Sequence, residues 1–489
     1  MKYASSLSLV ALAAVALALL AAPRKPALAG EPAAPAPKEL KLDLSKAVPV
    51  SLPTPKAGLT PVAFRTSDGK AGWVVRIPGG RPIATPAYAD GMLFVGGGYG
   101  SHEFYAFDAE TGALRWKVPT SDDGPTAAVV EAGYVAFNTE SCTVIVVDEK
   151  TGKIVWQEWL GDPLMSQPAI ADGRLFMAFP AGQRGPGPQD GYSHALLAVD
   201  LKSGKHLWVA GITSDAISAP VVADGHVYVT CFDGTSFAFD AADGRLLWKK
   251  ENAGTSAPVI ANNQFVVAQK QVAGAKNYEG LMRADAAHGT PQDKDLLTKK
   301  EAAYLDQSKG GGTGLTTSQT VALDSSVGFG AAPASAGLGA AQKNVGVGSV
   351  VGGWAYQGSR AAVSRGRLLN AQGKYLNAVA AADGKLAWQA EVVGAGVNGD
   401  QQVFAPPSLG RDYLYLSGPL GHLVSVRQKD GAPGFMYSLR QPMIFQPALA
   451  NGNIYVGTAN GSLICLKLSS PDADGWYEWG GNAQHNKIQ

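Results

Sequence analysis

The residues best equipped for chemistry are sparse in this chain. Cys142, Cys231 and Cys465 are its only cysteines, too few in 489 residues for a disulfide-dense scaffold. No Cys-x-x-Cys-His string occurs, so covalent c-type haem is excluded. The seven histidines form no His-x-x-x-His pair and have no cysteine at ligand spacing, which leaves a structural zinc site without support. Gly96-Gly97-Gly98-Tyr99-Gly100 lacks the Lys and the Ser or Thr of a phosphate loop and reads as a turn. Asp293 to Glu301 begins like a calcium-binding helix-loop-helix, but Leu297 falls where an oxygen ligand is needed and no Gly follows it.

One carboxylate recurs too regularly to be catalytic. Asp108, Asp148 and Asp200 each precede a Thr-Gly or Ser-Gly by three residues, as a turn that the carboxylate caps would require. A reaction does not need the same acid in unit after unit, so these aspartates are structural.

The units that hold them are a repeat. Thr85 to Gly91, Leu93 to Val95, Tyr105 to Asp108 and Thr111 to Trp116 are matched by Ala219 to Val229 and Ser236 to Trp248, and the same cadence ends at Trp156, Trp208 and Trp388. A spacing of about 40 residues is that of four-stranded propeller blades. Three short runs rich in Val, Tyr and Phe, broken by Asp-Gly or Asn-Gly, make the first three strands of an antiparallel sheet. The fourth carries the Trp, which covers the face of the next sheet.

Innermost strands starting near Ile83, Thr126, Ser166, Ser218, Ser256, Ser359, Phe404 and Phe445 predict an all-β fold, an eight-bladed β-propeller. The seventh blade has Tyr437 at about the Trp position, and the fifth has Asn262-Asn263 for Asp-Gly. Asp68 to Arg76 repeats only the end of the pattern, as an orphan fourth strand that closes the ring on the last blade. The tryptophans expected to dock blades are Trp73, Trp116, Trp156, Trp208, Trp248 and Trp388.

Alignment of the first strands places Thr85, Ala127, Gln167, Ala219, Ala257, Arg360, Pro406 and Gln446 in one column. If that column faces the axis, Thr85, Gln167, Gln446 and Arg360 are the candidate ligand-binding residues. Arg360 is its one fixed charge, able to hold an acidic group or to pair with a nearby carboxylate or water. Trp479 to His485 has packing as its expected role.

Outside the repeat, Lys2 precedes an apolar run from Leu7 to Ala22, and Ala27-Leu28-Ala29 offers a signal-peptidase cut before Gly30. Residues 1–29 are therefore expected to be a signal peptide and 30–66 a Pro/Ala-rich tether. Residues 67–489 are the propeller, and the mature chain is exported, periplasmic or extracellular, without a membrane span. The propeller carries a polar, Gly/Ala-rich insertion at about 271–348, with a short helix-like piece from Asp293 to Ser308. A net charge of +1 gives no field for nucleic acid.

Val146-Val147-Asp148-Glu149-Lys150-Thr151-Gly152-Lys153-Ile154-Val155-Trp156 resembles the tryptophan-docking motif of the quinoprotein-like (PQQ-like) β-propeller superfamily. The resemblance extends from Gly69 to Trp479. That superfamily includes pyrroloquinoline-quinone (PQQ) alcohol dehydrogenases, whose sites hold an adjacent Cys-Cys disulfide and calcium bound by Glu, Asn and Asp. Here the cysteines lie in the second, fourth and eighth blades and no calcium set can be assigned. The chain is more similar to non-enzymatic propellers of the outer-membrane assembly (BamB-like) type. The resemblance thus implies an exported, non-catalytic scaffold for another envelope protein, with no cofactor. The alternative is a PQQ-dependent alcohol dehydrogenase-like oxidoreductase with a diverged site and calcium.

Overall fold

Asp90-Gly91, Asp172-Gly173, Asp224-Gly225 and Asn451-Gly452 all take positive φ, the geometry of two-residue hairpin turns whose twist matches the flanking strands. Asn262 and Asn263 do the same at φ 51° and 59°, because a short amide side chain tolerates the left-handed region. Each turn joins the first strand of a sheet to its second.

The computed structural model describes residues 38–54, 58–161, 166–181, 192–305, 335–346, 356–399 and 401–489. They form eight β-sheets, each with four antiparallel blade strands, the blades of the expected propeller. Blades one to seven span 87–119, 129–159, 169–212, 221–251, 259–301, 362–393 and 408–438. The eighth joins residues 448–467 to Ala71–Arg76, which pairs antiparallel with Ser462–Lys467 and sets Trp73 opposite Cys465. Strands from the two chain ends thus close the ring, and the sheet edges there disappear.

Blade contacts repeat one geometry. The Asp148 carboxylate accepts from the Thr151 N–H at 2.9 Å and its hydroxyl at 2.6 Å, and Asp108 and Asp200 cap their turns likewise. Each indole N–H donates to a carbonyl of the following blade: Trp73 to Ala109, Trp116 to Glu149, Trp156 to Leu201, Trp208 to Ala241, Trp248 to Ala286 and Trp388 to Gln428. A Cβ at Gly152 would lie 2.6 Å from Trp116, so the turn glycine is what lets the ring lie flat.

The fifth blade has no such indole. Arg283, ion-paired with Asp293 at 2.5 Å, donates instead to the Ala381 carbonyl at 2.6 Å, the bond the indole makes elsewhere. In the seventh blade Val424 pairs with Met436, which puts Phe435, not Tyr437, in the indole register. Tyr437 instead donates to Asp68 at 2.5 Å.

Two segments differ from expectation. The stretch read as a tether contributes strands: Lys38–Asp43 runs parallel to Leu386–Val393, Val48–Pro49 parallel to Pro433–Ser438, and Val62–Arg65 antiparallel to Ala71–Arg76. The cause is an alternation hidden by the Ala, Pro and Lys content, since Leu42, Leu44 and Val50 are buried. The insertion also begins later than 271, because Gln264–Ala273 and Lys276–Asp285 are ten-residue strands of the fifth blade. The piece expected as a helix holds that blade's fourth strand, Leu297–Glu301, and a 3-10 turn, Ala303–Leu305. Pairing of Leu281 with Leu297 overrides the local helical tendency. A helix, Ser335–Val345, precedes the return to the ring at Tyr356. Residues 1–29, expected to be a signal peptide, and residues 306–334 lie outside the described residues.

Candidate functional site

Four column residues were the candidates for binding a ligand if their column faced the axis. Thr85, Gln167, Arg360 and Gln446 are all buried around it. Among the described residues, Thr85 Oγ1 and Gln167 Oε1 have no hydrogen-bond partner. Gln446 is occupied: its Nε2 donates to the Pro407 carbonyl at 2.8 Å, and its Oε1 accepts from the Gly480 N–H at 2.9 Å.

Arg360 is held by backbone, not by a carboxylate. Its Nε donates to the Pro258 carbonyl at 3.1 Å, and its Nη2 to the His485 carbonyl. The guanidinium carbon sits 4.6 Å from the ring centre of Trp479. Burial draws the Arg360 pKa down to about 9, so the cation persists at neutral pH. Burial, with Arg360 nearby, pushes His485 down to about 4.

The C-terminal residues close this mouth of the ring. Leu449, Tyr88, Ile170 and Val222 donate their N–H groups to the carbonyls of Trp476, Tyr477, Ala483 and Gln484 at 2.7 to 2.9 Å. Val130 donates to Glu478 Oε2, and Ile260 to Asn486 Oδ1. Gln489 exchanges bonds with Val363 and Arg365 and donates to Leu409. Residues 476–489 therefore bond to the first strand, or its end, in every one of the eight blades. Packing was the role the sequence suggested; the structure makes it a cap.

At the opposite mouth lies the return of the insertion, where Tyr356 and Gln357 bond to the starts of first strands. Ser218 Oγ donates to the Tyr356 carbonyl at 3.1 Å, and Tyr356 OH to the Thr255 carbonyl at 2.8 Å. Beneath them lies Glu279, a fully buried carboxylate that nothing in the sequence marks. It accepts from Thr255 Oγ1 at 2.5 Å, Tyr304 OH at 2.5 Å and Ser359 Oγ at 2.7 Å. Burial pushes its pKa up against the pull of these three hydroxyls. Tyr304 enters the insertion and Ser359 leaves it, so one carboxylate clasps both ends.

Between the caps remains a cavity of about 20 Å³, bordered by Thr126, Gln167, Ser218, Gln357 and Phe445. That is room for roughly one water. The cofactor that the fold family implies is a three-ring quinone bearing three carboxylates, and sites for organic ligands run to about 300 Å³ or more. The described axial residues do not fit it. Arg360, the cation placed to meet a carboxylate, is already bonded to carbonyls. Cys142, Cys231 and Cys465 are buried, and burial pushes the thiols of Cys231 and Cys465 up, away from the reactive thiolate. Among the described residues no group of three or more His, Cys, Asp or Glu is arranged to hold a metal.

The family described as outer membrane protein assembly factor BamB matches residues 60–183, 143–304 and 350–475. This chain belongs to that family. A BamB protein of Yersinia pestis is 29% identical over 163 residues, covering 30% of this chain and 38% of that protein. The chain thus matches well under half the length of this curated relative. Crystallised BamB from Moraxella catarrhalis superimposes with a TM-score of 0.52 at 14% identity, over 83% of this chain and 98% of that one. Quinohemoprotein alcohol dehydrogenase from Comamonas testosteroni gives 0.51 at 13% identity, over 82% and 76%. At such identities both structures speak for the fold alone, while membership in the BamB family rests on the sequence match. Among the described residues no helix is long and apolar enough to cross a membrane.

Proposed function

We propose that this chain is an exported, non-catalytic propeller that serves as a protein-interaction scaffold in the cell envelope. The observation that carries the reading is the axis, where the described residues leave a cavity with room for about one water and residues 476–489 bond across one mouth. A propeller that acts on a small molecule keeps a pocket where the inner strands converge. Here the surfaces left for work are the rim and the outer edges of the blades. BamB family membership supports the same reading, because the family is named for outer-membrane protein assembly. The partner is an envelope protein, met after removal of a signal peptide over residues 1–29, and neither nucleic acid nor haem has a part. Thr85, Gln167, Gln446 and Arg360 serve the closure of the axis in this reading, and the tryptophans serve blade docking.

The competing reading, a PQQ-dependent alcohol dehydrogenase, rests on shared fold. Calorimetry with pyrroloquinoline quinone and calcium separates the two. The scaffold reading expects no binding at about micromolar quinone and dye-linked alcohol oxidation at background. Saturable quinone binding lost in Arg360→Ala would put the oxidoreductase first.

A further inference from the structure

The outer edge of a blade is a row of unpaired backbone N–H and C=O groups, which proteins guard with Lys, Arg or Pro unless another strand covers it. In this ring the guards follow the coverage. Leu386–Val393 has no Lys, Arg or Pro, and Lys38–Asp43 covers it. Pro433–Ser438 has no cation and a Pro only at its start, and is covered by Val48–Pro49; Ala71–Arg76 has a cation only at its end and is covered by Val62–Arg65. Three uncovered edges are guarded: Leu114–Pro119 by Arg115, Lys117 and Pro119, Leu246–Glu251 by Lys249 and Lys250, and Leu297–Glu301 by Lys299 and Lys300.

Two edges break the pattern. Ile154–Trp159 and His206–Ile212, in the neighbouring second and third blades, contain no Lys, Arg or Pro. Among the described residues no strand pairs with the outer side of either. Val155 and Leu207 stand 42% and 44% exposed. Trp156 is half-buried and Trp208 9% exposed, whereas Trp388, beneath its covering strand, is 1% exposed. His206 and Glu158 tie the two strands together at 2.8 Å.

We propose that the outer edges of the second and third blades are a strand-addition site for an extended segment of another protein, an inference that rests on the scaffold reading. The chain's own covering strand defines the chemistry of the occupant. Lys38–Asp43 alternates charged and apolar residues, turns Leu42 inward and runs parallel to its host. Two copies meeting through identical edges about a two-fold axis would run antiparallel, so a linear segment of a different protein matches the observed covering better. Backbone bonds supply the affinity and the alternating apolar side chains the register.

The test uses the full chain and a fluorescent peptide carrying residues 38–52 as the probe. Saturable anisotropy is expected, with slowed amide exchange over Ile154–Trp159 or His206–Ile212 and none over Leu246–Glu251. Val155→Lys with Leu207→Lys should weaken binding about tenfold or more, and Leu246→Lys, on a guarded edge, should not. Both altered positions are exposed, so the melting point reports whether the fold is kept. Binding that ignores the double substitution, or no saturation up to about 1 mM, overturns the proposal. So does dimerisation in sedimentation that the double substitution abolishes, which would assign the edges to a second copy. Quinone-dependent turnover would remove the scaffold reading while leaving the peptide result standing.

Discussion

At one mouth of the ring, residues 476–489 are held chiefly through backbone N–H and C=O groups contributed by blade after blade. At the other, three hydroxyls from distant parts of the chain converge on the single side chain of Glu279. The first arrangement spreads its bonds over many residues that could be exchanged for others. The second concentrates them on one atom pair that could not. A distributed cap tolerates point substitutions and fails on removal, whereas a concentrated clasp fails at one residue.

Deleting residues 476–489 should therefore have the largest effect. It uncovers Arg360 and the inner ends of all the first strands, and a loss of roughly 5 kcal/mol or more in the unfolding free energy is expected. Trp479, 1% exposed and stacked on Arg360, is the position in this cap least suited to exchange, and Trp479→Ala should cost about 3 to 5 kcal/mol. A deletion variant that melts like the parent would erase the difference between the caps.

Glu279→Ala comes next. Three buried hydroxyls lose their acceptor, and about 3 kcal/mol is expected from the unpaired groups and the space left behind. Glu279→Gln keeps the shape and an acceptor oxygen, so its cost should be smaller. Equal losses in denaturant melts of the two variants would show that volume, not the carboxylate, closes this mouth.

The smallest effect is in the pH dependence, where Glu279 at one mouth and His485 at the other have opposite signs. The folded-state pKa of Glu279 is raised, so its contribution is full below the ordinary carboxyl range and declines as pH rises through the raised value. His485 is pushed down to about 4, so its contribution is full above the ordinary imidazole pKa of about 6.5 and is lost as pH falls toward 4. Glu478, in the same cap as His485, has the sign of Glu279 because burial raises it too. Stability profiles over about pH 4 to 8 should thus flatten on the alkaline side in Glu279→Gln and on the acid side in His485→Gln. Profiles that shift together would mean that the caps open as one unit.

What could be read beforehand follows the same division. Trp, Gly and Asp recur because every blade poses the same packing problem, so blade number and ring closure were visible from spacing alone. The C-terminal cap was not, because backbone bonds leave no mark on residue type. Glu279 escaped because its partners, Thr255, Tyr304 and Ser359, lie 24, 25 and 80 residues away. Arg283 with Asp293 hid the loss of the fifth indole by doing its work with a different side chain. Arg360 stood out as the fixed charge of the column, but its carbonyl partners come from segments that a single-strand alignment cannot bring together.

The pairing of Ala71–Arg76 with Ser462–Lys467 also sets an order of events. Its sequence separation is close to the full length of the ring, so the loop that it closes is among the slowest contacts available to the chain. Seven blades can form as each emerges, but the eighth lacks its outer strand until residue 467 returns to residue 71, and Gln489 must still find Val363. Until then the ring is an open arc with two raw ends. Any factor that occupies either end during that interval decides whether the arc closes on itself or on a neighbouring chain.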